Sequence, residues 1–271
     1  MGLRQAWAHA RMGIAAILGC GLAASGANAG DVAWSQVIGF SADGRYVAFE
    51  EYGVQDGSGF PYANLYVIDV AANDWVAGSP IRILIDDTEM DEDTLWRTGV
   101  QAARERAMQQ AQPVLASHGV IPGNTGITLV HHPLSDLAAA PHEASFSIGA
   151  AYAPDWPRDS NLLRLTERQA SSAECERYDL GPTAIFTLEL SRDGEAPVTL
   201  QRDTRLSASR NCPTRYRIHS VIAYAHGVHD QSQCCGSSYS MLVLIAMAKF
   251  GFEGSDWRYL GVTSVQPAFN D

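Results

Sequence analysis

Short apolar runs separated by turn residues open the chain after residue 30. Residues 37–40 are apolar, and the Ser-Ala-Asp-Gly segment that follows carries the Asp-Gly hairpin signal. Residues 45–52 then predict a return strand, and residues 64–70 predict a third strand rich in β-branched and aromatic side chains. Residues 35–70 are therefore predicted to form an antiparallel β-meander.

The C-terminal part of the chain repeats this pattern. Three apolar runs within residues 219–265 correspond to the three strands of the first meander. The motif acid-Gly-Ser-x-aromatic-x-Tyr precedes the third strand in both copies, at residues 56–62 and 253–259. Two related meanders, each with one apolar face, would pack on each other. The simpler alternative is that any two meanders look alike.

An alanine-rich segment at residues 88–118 predicts one long helix between the meanders. Ala103, Ala107 and Ala111 recur every four residues and so share one face of a helix, and Gly119 marks its end. Side chains this small suit close packing on a sheet.

Further strands are predicted between the helix and the second meander, at residues 127–131, 144–148, 162–165, 184–190 and 198–202. No low-complexity linker divides the chain. We therefore expect a single β-rich domain over residues 30–271, mainly β in the α+β class. Its antiparallel meanders would form a sandwich-like or propeller-like arrangement with the one long alanine-rich helix.

Residues 1–29 have the pattern of a removable export signal. Arg4 and Arg11 lie in a leader without acidic residues, an apolar run follows, and Ala-Asn-Ala ending at Ala29 is a small-x-small cleavage site. The apolar run is too short to span a bilayer. Cleavage after Ala29 predicts a periplasmic or secreted protein. A lipoprotein acylated at Cys20 is the alternative, although the residue two before that cysteine is a leucine, where a small residue is usual.

Charge and length exclude several partners. Without the leader, 17 basic and 30 acidic residues remain, so the net charge is −13. Such a surface repels nucleic acids and anionic lipids, so no nucleic acid is expected as a partner. No later apolar run has the length of a transmembrane segment. Lys249 is the only lysine, in an apolar strand without a glycine-rich loop before it, and we attribute it to a composition that favours arginine.

Four cysteines remain after the leader: Cys175, Cys212, Cys234 and Cys235. An even number in an oxidising compartment indicates disulfides, and four cysteines allow three pairings. Two of these pairings would join the Cys234-Cys235 loop to both other cysteines. We favour a Cys175–Cys212 disulfide, because both residues lie in polar segments that flank a pair of strands. The Cys234-Cys235 loop is then peripheral.

The sequence contains no nucleophile elbow, zincin helix, phosphate-binding loop or dinucleotide fingerprint after its leader. His226, His229, Cys234 and Cys235 are the one cluster with metal-ligating residue types, suited to zinc or copper. Adjacent cysteines rarely both bind one ion with good geometry, and export favours their oxidation. We therefore expect no metal site and no cofactor.

Glu50 and Glu51 are the type of paired carboxylates that glycosidases use. Neighbours on a strand point to opposite faces, so these two cannot address one substrate. Asp56 or Glu253 would have to supply the second carboxylate, and nothing in the sequence places either of them.

Four aromatic residues beside the glycine-rich loops are the candidate binding residues: Phe60 and Tyr62 in the first copy, Trp257 and Tyr259 in the second. Exposed aromatic side chains next to flexible backbone are common in contacts with proteins and carbohydrates. The alternative is that these four fill the two ends of a sandwich core.

Residues 40–49, Phe-Ser-Ala-Asp-Gly-Arg-Tyr-Val-Ala-Phe, with the Leu-Tyr-Val-Ile-Asp of residues 65–69, are similar to a blade of TolB-type, WD40-like propellers. That likeness is local. One good copy and one degenerate copy are present, whereas a closed ring needs four or more blades.

A second resemblance covers nearly the whole chain after the leader. Residues 50–62, the alanine-rich helix, Ser-Arg-Asn-Cys-Pro at 209–213 with Tyr-Arg-Ile at 216–218, and Gly-Phe-Glu-Gly at 251–254 resemble a bacterial family of predicted secreted proteins, domain of unknown function 2259. The resemblance implies export. The family has no assigned activity or catalytic residues to transfer, and the Cys234-Cys235 loop resembles an insertion into its pattern.

These features predict an exported, non-enzymatic β-rich module that binds an envelope protein or a glycan through its loops. The alternative is a secreted hydrolase with a scattered carboxylate site, which requires a cleft with two or more converging carboxylates.

Overall fold

A computed structural model shows three antiparallel sheets and one long helix, so the predicted mainly β, α+β class is confirmed. The layers stack in the order helix, helix-side sheet, central sheet, outer sheet. The structure describes residues 30–135, 142–149, 159–177, 182–193, 195–225, 238–252 and 254–267. Within those residues, no helix has the length and apolar character needed to cross a membrane.

The helix-side sheet contains the first meander. Its strands are β1 Trp34–Phe40, β2 Tyr46–Val54, β3 Pro61–Asp69, β4 Asp74–Trp75 and β5 Ile81–Leu84. The order is β1-β2-β3-β4, and β5 also pairs with β3. The predicted hairpin turn forms between β1 and β2. The Ser41 N–H donates to the Tyr46 carbonyl at 2.9 Å, and Gly44 takes a positive φ of 67°.

Helix α1, Glu92–Ser117, covers the outer face of this sheet. It begins at Asp91, whose side chain accepts a hydrogen bond from the Thr94 N–H at 3.1 Å. The predicted stripe of Ala103, Ala107 and Ala111 is fully buried against the sheet. Small side chains at these positions let the helix axis approach the strands closely.

The central sheet contains the second meander. Its strands are β6 Ile127–His131, β11 Pro213–Ala225, β12 Ser238–Phe250 and β13 Ser255–Pro267, in the order β13-β12-β11-β6. Pairing of β12 with β13 continues to Phe250 and Ser255, which shortens the loop between them. Trp257 and Tyr259 therefore lie inside β13, whereas Phe60 lies in the loop before β3. The shared loop motif thus occupies different places in the two meanders.

The outer sheet contains β7 Glu143–Phe146, β8 Asn161–Ala170, β9 Thr183–Arg192 and β10 Val198–Arg202, in the order β10-β9-β8-β7. A short helix, α2 Ala173–Arg177, follows β8. Cys175 in α2 forms a disulfide with Cys212, the residue before β11. The predicted pairing is therefore present, and it ties the outer sheet to the central sheet. Cys234 and Cys235 lie outside the described residues.

Alternating side chains on β3 divide the interior into separate cores. Leu65 and Val67 pack beneath α1, whereas Tyr66 and Ile68 face the central sheet. Strand β12 alternates in the same way between the helix-side sheet and the outer sheet. The two meanders therefore pack face to face through apolar side chains. The arrangement of the described layers is sandwich-like, without the radial blades of a propeller.

Candidate functional site

A polar cleft of about 530 Å³ opens at the edge strand β13, which is within the size range of ligand pockets. Its back wall is residues 258–262 of β13. Its floor is the side of β3, β4 and β5 that faces the central sheet, and its roof is the segment 207–211 before the disulfide. We call this space the interlayer cleft.

Side chains from the helix-side sheet cap the edge of β13 at two points. The Tyr259 N–H donates to the Glu51 carboxylate at 2.7 Å, and the Thr263 N–H donates to the Asn73 side-chain oxygen at 2.8 Å. Backbone groups alternate in direction along a strand, and the register of β12 with β13 has no shift. The N–H and C=O of Gly261, midway between the caps, therefore point into the cleft. Neither has a hydrogen-bond partner in the part of the chain that the structure describes.

Glu51 accepts hydrogen bonds from three donors. Besides the Tyr259 N–H, its carboxylate accepts from the Tyr66 hydroxyl at 2.8 Å and from the Asn64 amide at 3.0 Å, and only 2% of the residue is exposed. Burial, with the nearby Glu51 charge, raises the pKa of Tyr66 well above its usual range, so this hydroxyl keeps its proton. Glu51 thus holds the floor of the cleft against its back wall.

Glu50 points away from the cleft. It pairs with Arg104 of α1, whose Nε lies 3.1 Å from the carboxylate and whose Nη2 also donates to the Gln36 side chain at 2.8 Å. The prediction that the two adjacent glutamates face opposite sides is confirmed. Asp56 does not line the cleft, and Glu253 lies outside the described residues.

Aromatic rings form much of the floor. Tyr66 stacks on Phe49 with ring centres 4.8 Å apart, and Trp75 lies 5.9 Å from Tyr66 on the solvent side. The Arg82 guanidinium lies 5.8 Å from the centre of the Trp75 ring. The floor therefore offers flat apolar surface beside a cation.

Two other cationic side chains of the cleft, Arg258 and Arg210, are each neutralised by an ion pair. Arg258 pairs with Asp31 and lies 4.6 Å over the ring of Tyr62. Arg210 in the roof pairs with Asp203, with one donor-acceptor distance of 2.9 Å. Both pairs are largely buried, so each positions its own segment of wall.

Lys249 and Arg82 also line the cleft, and neither side chain has an ion pair or a hydrogen bond among the described residues. Lys249 is half-buried at the end of β12. Burial and the nearby charge of Arg258 lower the pKa of its amine, while Glu51 and Asp256 act on it electrostatically from beyond ion-pair distance. These two cations lack a close ion-pair partner among the described residues, so they can contact a bound anion, although the carboxylates of Glu51 and Asp74 also line the cleft.

One end of the cleft is closed by a link between layers. The Asn73 amide donates to the Gln201 side chain at 2.9 Å, while its oxygen caps the Thr263 N–H. Asn73 adopts a positive φ of 51°, a conformation that asparagine tolerates better than most residues. This residue thus connects the helix-side, central and outer sheets.

The four candidate aromatic residues are separated by the fold. Tyr62 and Tyr259 are buried in the core between the meanders, whereas Phe60 and Trp257 are half-buried. Arg217 lies 5.7 Å from the centre of the Trp257 ring. Only Tyr259 among the four lines the interlayer cleft.

A buried histidine lies beside Tyr259, with the ring centres 4.7 Å apart. His219 also contacts the ring of His131 and hydrogen bonds through Nδ1 to the His132 carbonyl at 3.2 Å. Its Nε2 lies 3.4 Å from the Ser35 hydroxyl. Burial, strengthened by the neighbouring His131, lowers the pKa of His219 to about 4, so the ring is neutral at pH 7.

The metal candidates His226, His229, Cys234 and Cys235 lie outside the described residues. Among the residues that are described, no group of three or more His, Cys, Asp or Glu side chains is arranged to hold a metal ion.

The model of a family described as predicted secreted protein, DUF2259, matches residues 48–264. The chain belongs to the DUF2259 family. The matched region contains every residue that lines the cleft, together with α1 and the disulfide. The predicted family resemblance is therefore confirmed, whereas the likeness to propeller blades has no support. No curated protein matches this DUF2259 chain.

Sequence reasoning missed the main cations of this DUF2259 cleft. Lys249 was attributed to composition, yet it is a half-buried charge beside Arg258. The signal that could have identified Lys249 is its position as a lone lysine at the end of a long apolar strand. Asn73 and Arg82 had no signal, because their importance depends on contacts between layers that are distant in sequence.

Proposed function

We propose that this exported protein is a binding module that holds an anionic ligand in the interlayer cleft and does not transform it. The observation that carries the proposal is the presence of Lys249 and Arg82 at the cleft, where neither side chain has an ion-pair partner among the described residues. Lys249 is half-buried, and its charge is costly to keep unpaired there. A ligand carboxylate or phosphate would remove that cost. The expected partner is therefore an envelope protein or a glycan that carries negative groups.

The candidate aromatic residues take different roles in this proposal. Tyr259 contributes directly to the wall, and Tyr62 supports Arg258 from below. Phe60 and Trp257 would contact only the outer parts of a bound partner. The alternative of a hydrolase receives less support, since Glu51 is held by three donors and Glu50 faces α1.

We also propose that the working protein begins after cleavage at Ala29 and acts in the periplasm or outside the cell, as opposed to a lipoprotein that retains Cys20. Membership of a family of predicted secreted proteins supports this proposal. Mass spectrometry of the exported protein is expected to show residue 30 at its start. An acylated Cys20 at that position would contradict it.

The cleft is tested by measuring the affinity of the protein for poly-L-glutamate and for polygalacturonate at several salt concentrations. We expect Lys249→Met to weaken binding by about tenfold, because a charge-assisted contact contributes about 1.5 kcal/mol or more. Affinity should fall as salt rises.

Arg97→Met is the matched control. Arg97 is exposed on α1 away from the cleft, and its loss changes the net charge by the same amount. Equal losses for the two variants would indicate a general charge effect. Failure of both polyanions to bind, at low salt, would overturn the proposed function.

A further inference from the structure

We infer that the anionic ligand is an extended acidic peptide that adds a short strand to β13 at Gly261. This inference rests on the proposed function and specifies the ligand class. The structural basis is Gly261, whose outward backbone groups have no partner among the described residues and lie between the capped N–H groups of Tyr259 and Thr263 inside the interlayer cleft.

The edge of β13 already pairs with an extended segment within the chain. The Trp257 N–H donates to the Asp31 carbonyl at 2.8 Å, and the Trp257 carbonyl accepts from the Ala33 N–H at 3.1 Å. Val32 thereby forms a parallel bridge with Trp257. This edge is therefore geometrically able to accept a strand where nothing covers it.

Further along the edge, side chains replace the missing strand. Carboxylate and amide oxygens accept from the N–H groups of Tyr259 and Thr263. Gly261 lies between them, and its outward N–H and C=O have no partner in the described part of the chain. One residue of an added strand can exchange two hydrogen bonds with such a position.

Packing explains why this position is a glycine. A Cβ on Gly261 would lie 2.8 Å from Ile68 Cδ1 and 3.0 Å from both Leu242 Cδ1 and Phe49 Cε1. The absence of a side chain lets the two sheets pack closely here. It also leaves the backbone as the only chemical group that residue 261 presents to the cleft.

The surroundings favour a peptide with acidic side chains. Alternate side chains of an extended strand point to opposite sides, so one set would meet the floor of Tyr66 and Trp75 and the other the roof. Lys249 and Arg82 supply cations for carboxylates. A sugar acid could neutralise these cations. It would not offer one N–H donor and one C=O acceptor at the spacing that the N–H and C=O of Gly261 require, as a peptide backbone does.

The test compares three labelled probes by fluorescence anisotropy with the intact mature protein. They are an acetylated peptide of Glu-Val repeats, the same peptide with every backbone nitrogen methylated, and the corresponding Gln-Val peptide. Methylation keeps the charges and removes the backbone donors. We expect it to weaken binding by about tenfold or more, since it removes at least one hydrogen bond and hinders close approach of the strands.

Hydrogen exchange provides a second measurement at the site itself. The Gly261 amide should exchange faster than the amides of β12, and the Glu-Val peptide should slow it by about tenfold or more, in proportion to occupancy. The already bonded amides of Tyr259 and Thr263 should change much less.

The outcomes separate the two proposals. If the methylated and unmethylated peptides bind equally, or if Gly261 exchange is unaffected by the bound peptide, strand addition is wrong while anion binding at the cleft stands. Preference for polygalacturonate over the Glu-Val peptide would lead to the same conclusion. If neither the peptide nor any polyanion binds, both proposals fail.

Discussion

His219 lies among Tyr259, His131 and Ser35, where burial disfavours a positive charge on its ring. Its folded-state pKa of about 4 is below the usual value of 6.5. Between these two values the unfolded chain binds more protons than the folded chain, so stability rises with pH across this window. A single side chain therefore makes the interior sensitive to acid.

We expect the free energy of unfolding to fall by up to about 3 kcal/mol as the pH is lowered from 7 to 4, as a pKa shift of this size implies. His219→Gln removes the titrating ring, so the variant should lose much less stability over the same range. Urea denaturation of both proteins at pH 7 and pH 4 measures these losses. If His219→Gln loses as much free energy of unfolding between the two pH values as the unchanged protein does, other groups cause the acid sensitivity.

At the residue scale, the local sequence pattern predicted which face of the sheet a side chain lies on, but not which residues it contacts. The alternation of a strand predicted that Glu50 and Glu51 face opposite sides, and they do. The alternation could not predict that Glu50 would pair with Arg104 of α1. Nor could it predict that Glu51 would accept a hydrogen bond from the Tyr259 N–H, which is 208 residues later in the sequence. The candidate site was placed on loop aromatics for the same reason, because contacts between layers are not encoded in short segments.

At the scale of elements, the predicted strands at 127–131 and 198–202 match β6 and β10, because turn residues delimit both. The third predicted strand of the second meander is part of a longer one, since β13 spans Ser255–Pro267. Its polar start around Asp256 has no strand-like pattern. Pairing with the apolar β12 extends it, which is a tertiary effect.

Helix α1 depends on the small size of its buried face. We expect Ala107→Leu to destabilise the protein by about 1–3 kcal/mol, because the alanine is completely buried and a larger side chain would push the helix off the sheet. Ala116→Leu is the control, since Ala116 is exposed in the last turn and should change stability by less than about 0.5 kcal/mol. Chemical denaturation compares them. Similar values for both would argue against tight packing at the stripe.

At the scale of the whole molecule, the Cys175–Cys212 disulfide closes a loop across 37 residues and ends the segment that roofs the interlayer cleft. Loop closure of this length stabilises a fold by roughly 3–4 kcal/mol in the chain-entropy model. The disulfide is therefore expected to contribute both to global stability and to the position of the roof.

Cys212→Ser should lower the free energy of unfolding by roughly that amount and weaken polyanion binding. The double change Cys234→Ser with Cys235→Ser should have little effect, because we expect that loop to be peripheral. Thermal and urea denaturation under oxidising conditions provide the comparison. A larger loss in the double variant, or peptide mapping that links Cys212 to Cys234 or Cys235, would contradict the prediction.

The ion pair between Asp31 and Arg258 joins residues 227 positions apart. Contacts this distant form late, because a very long loop must close before they gain any energy. The wall of the cleft and the edge of β13 therefore cannot assemble until residue 258 has been synthesised. If the protein is exported as proposed, a chain that remains open for so long can be threaded through a narrow translocation channel. Asp31 and Arg258 would then first meet on the far side of the membrane.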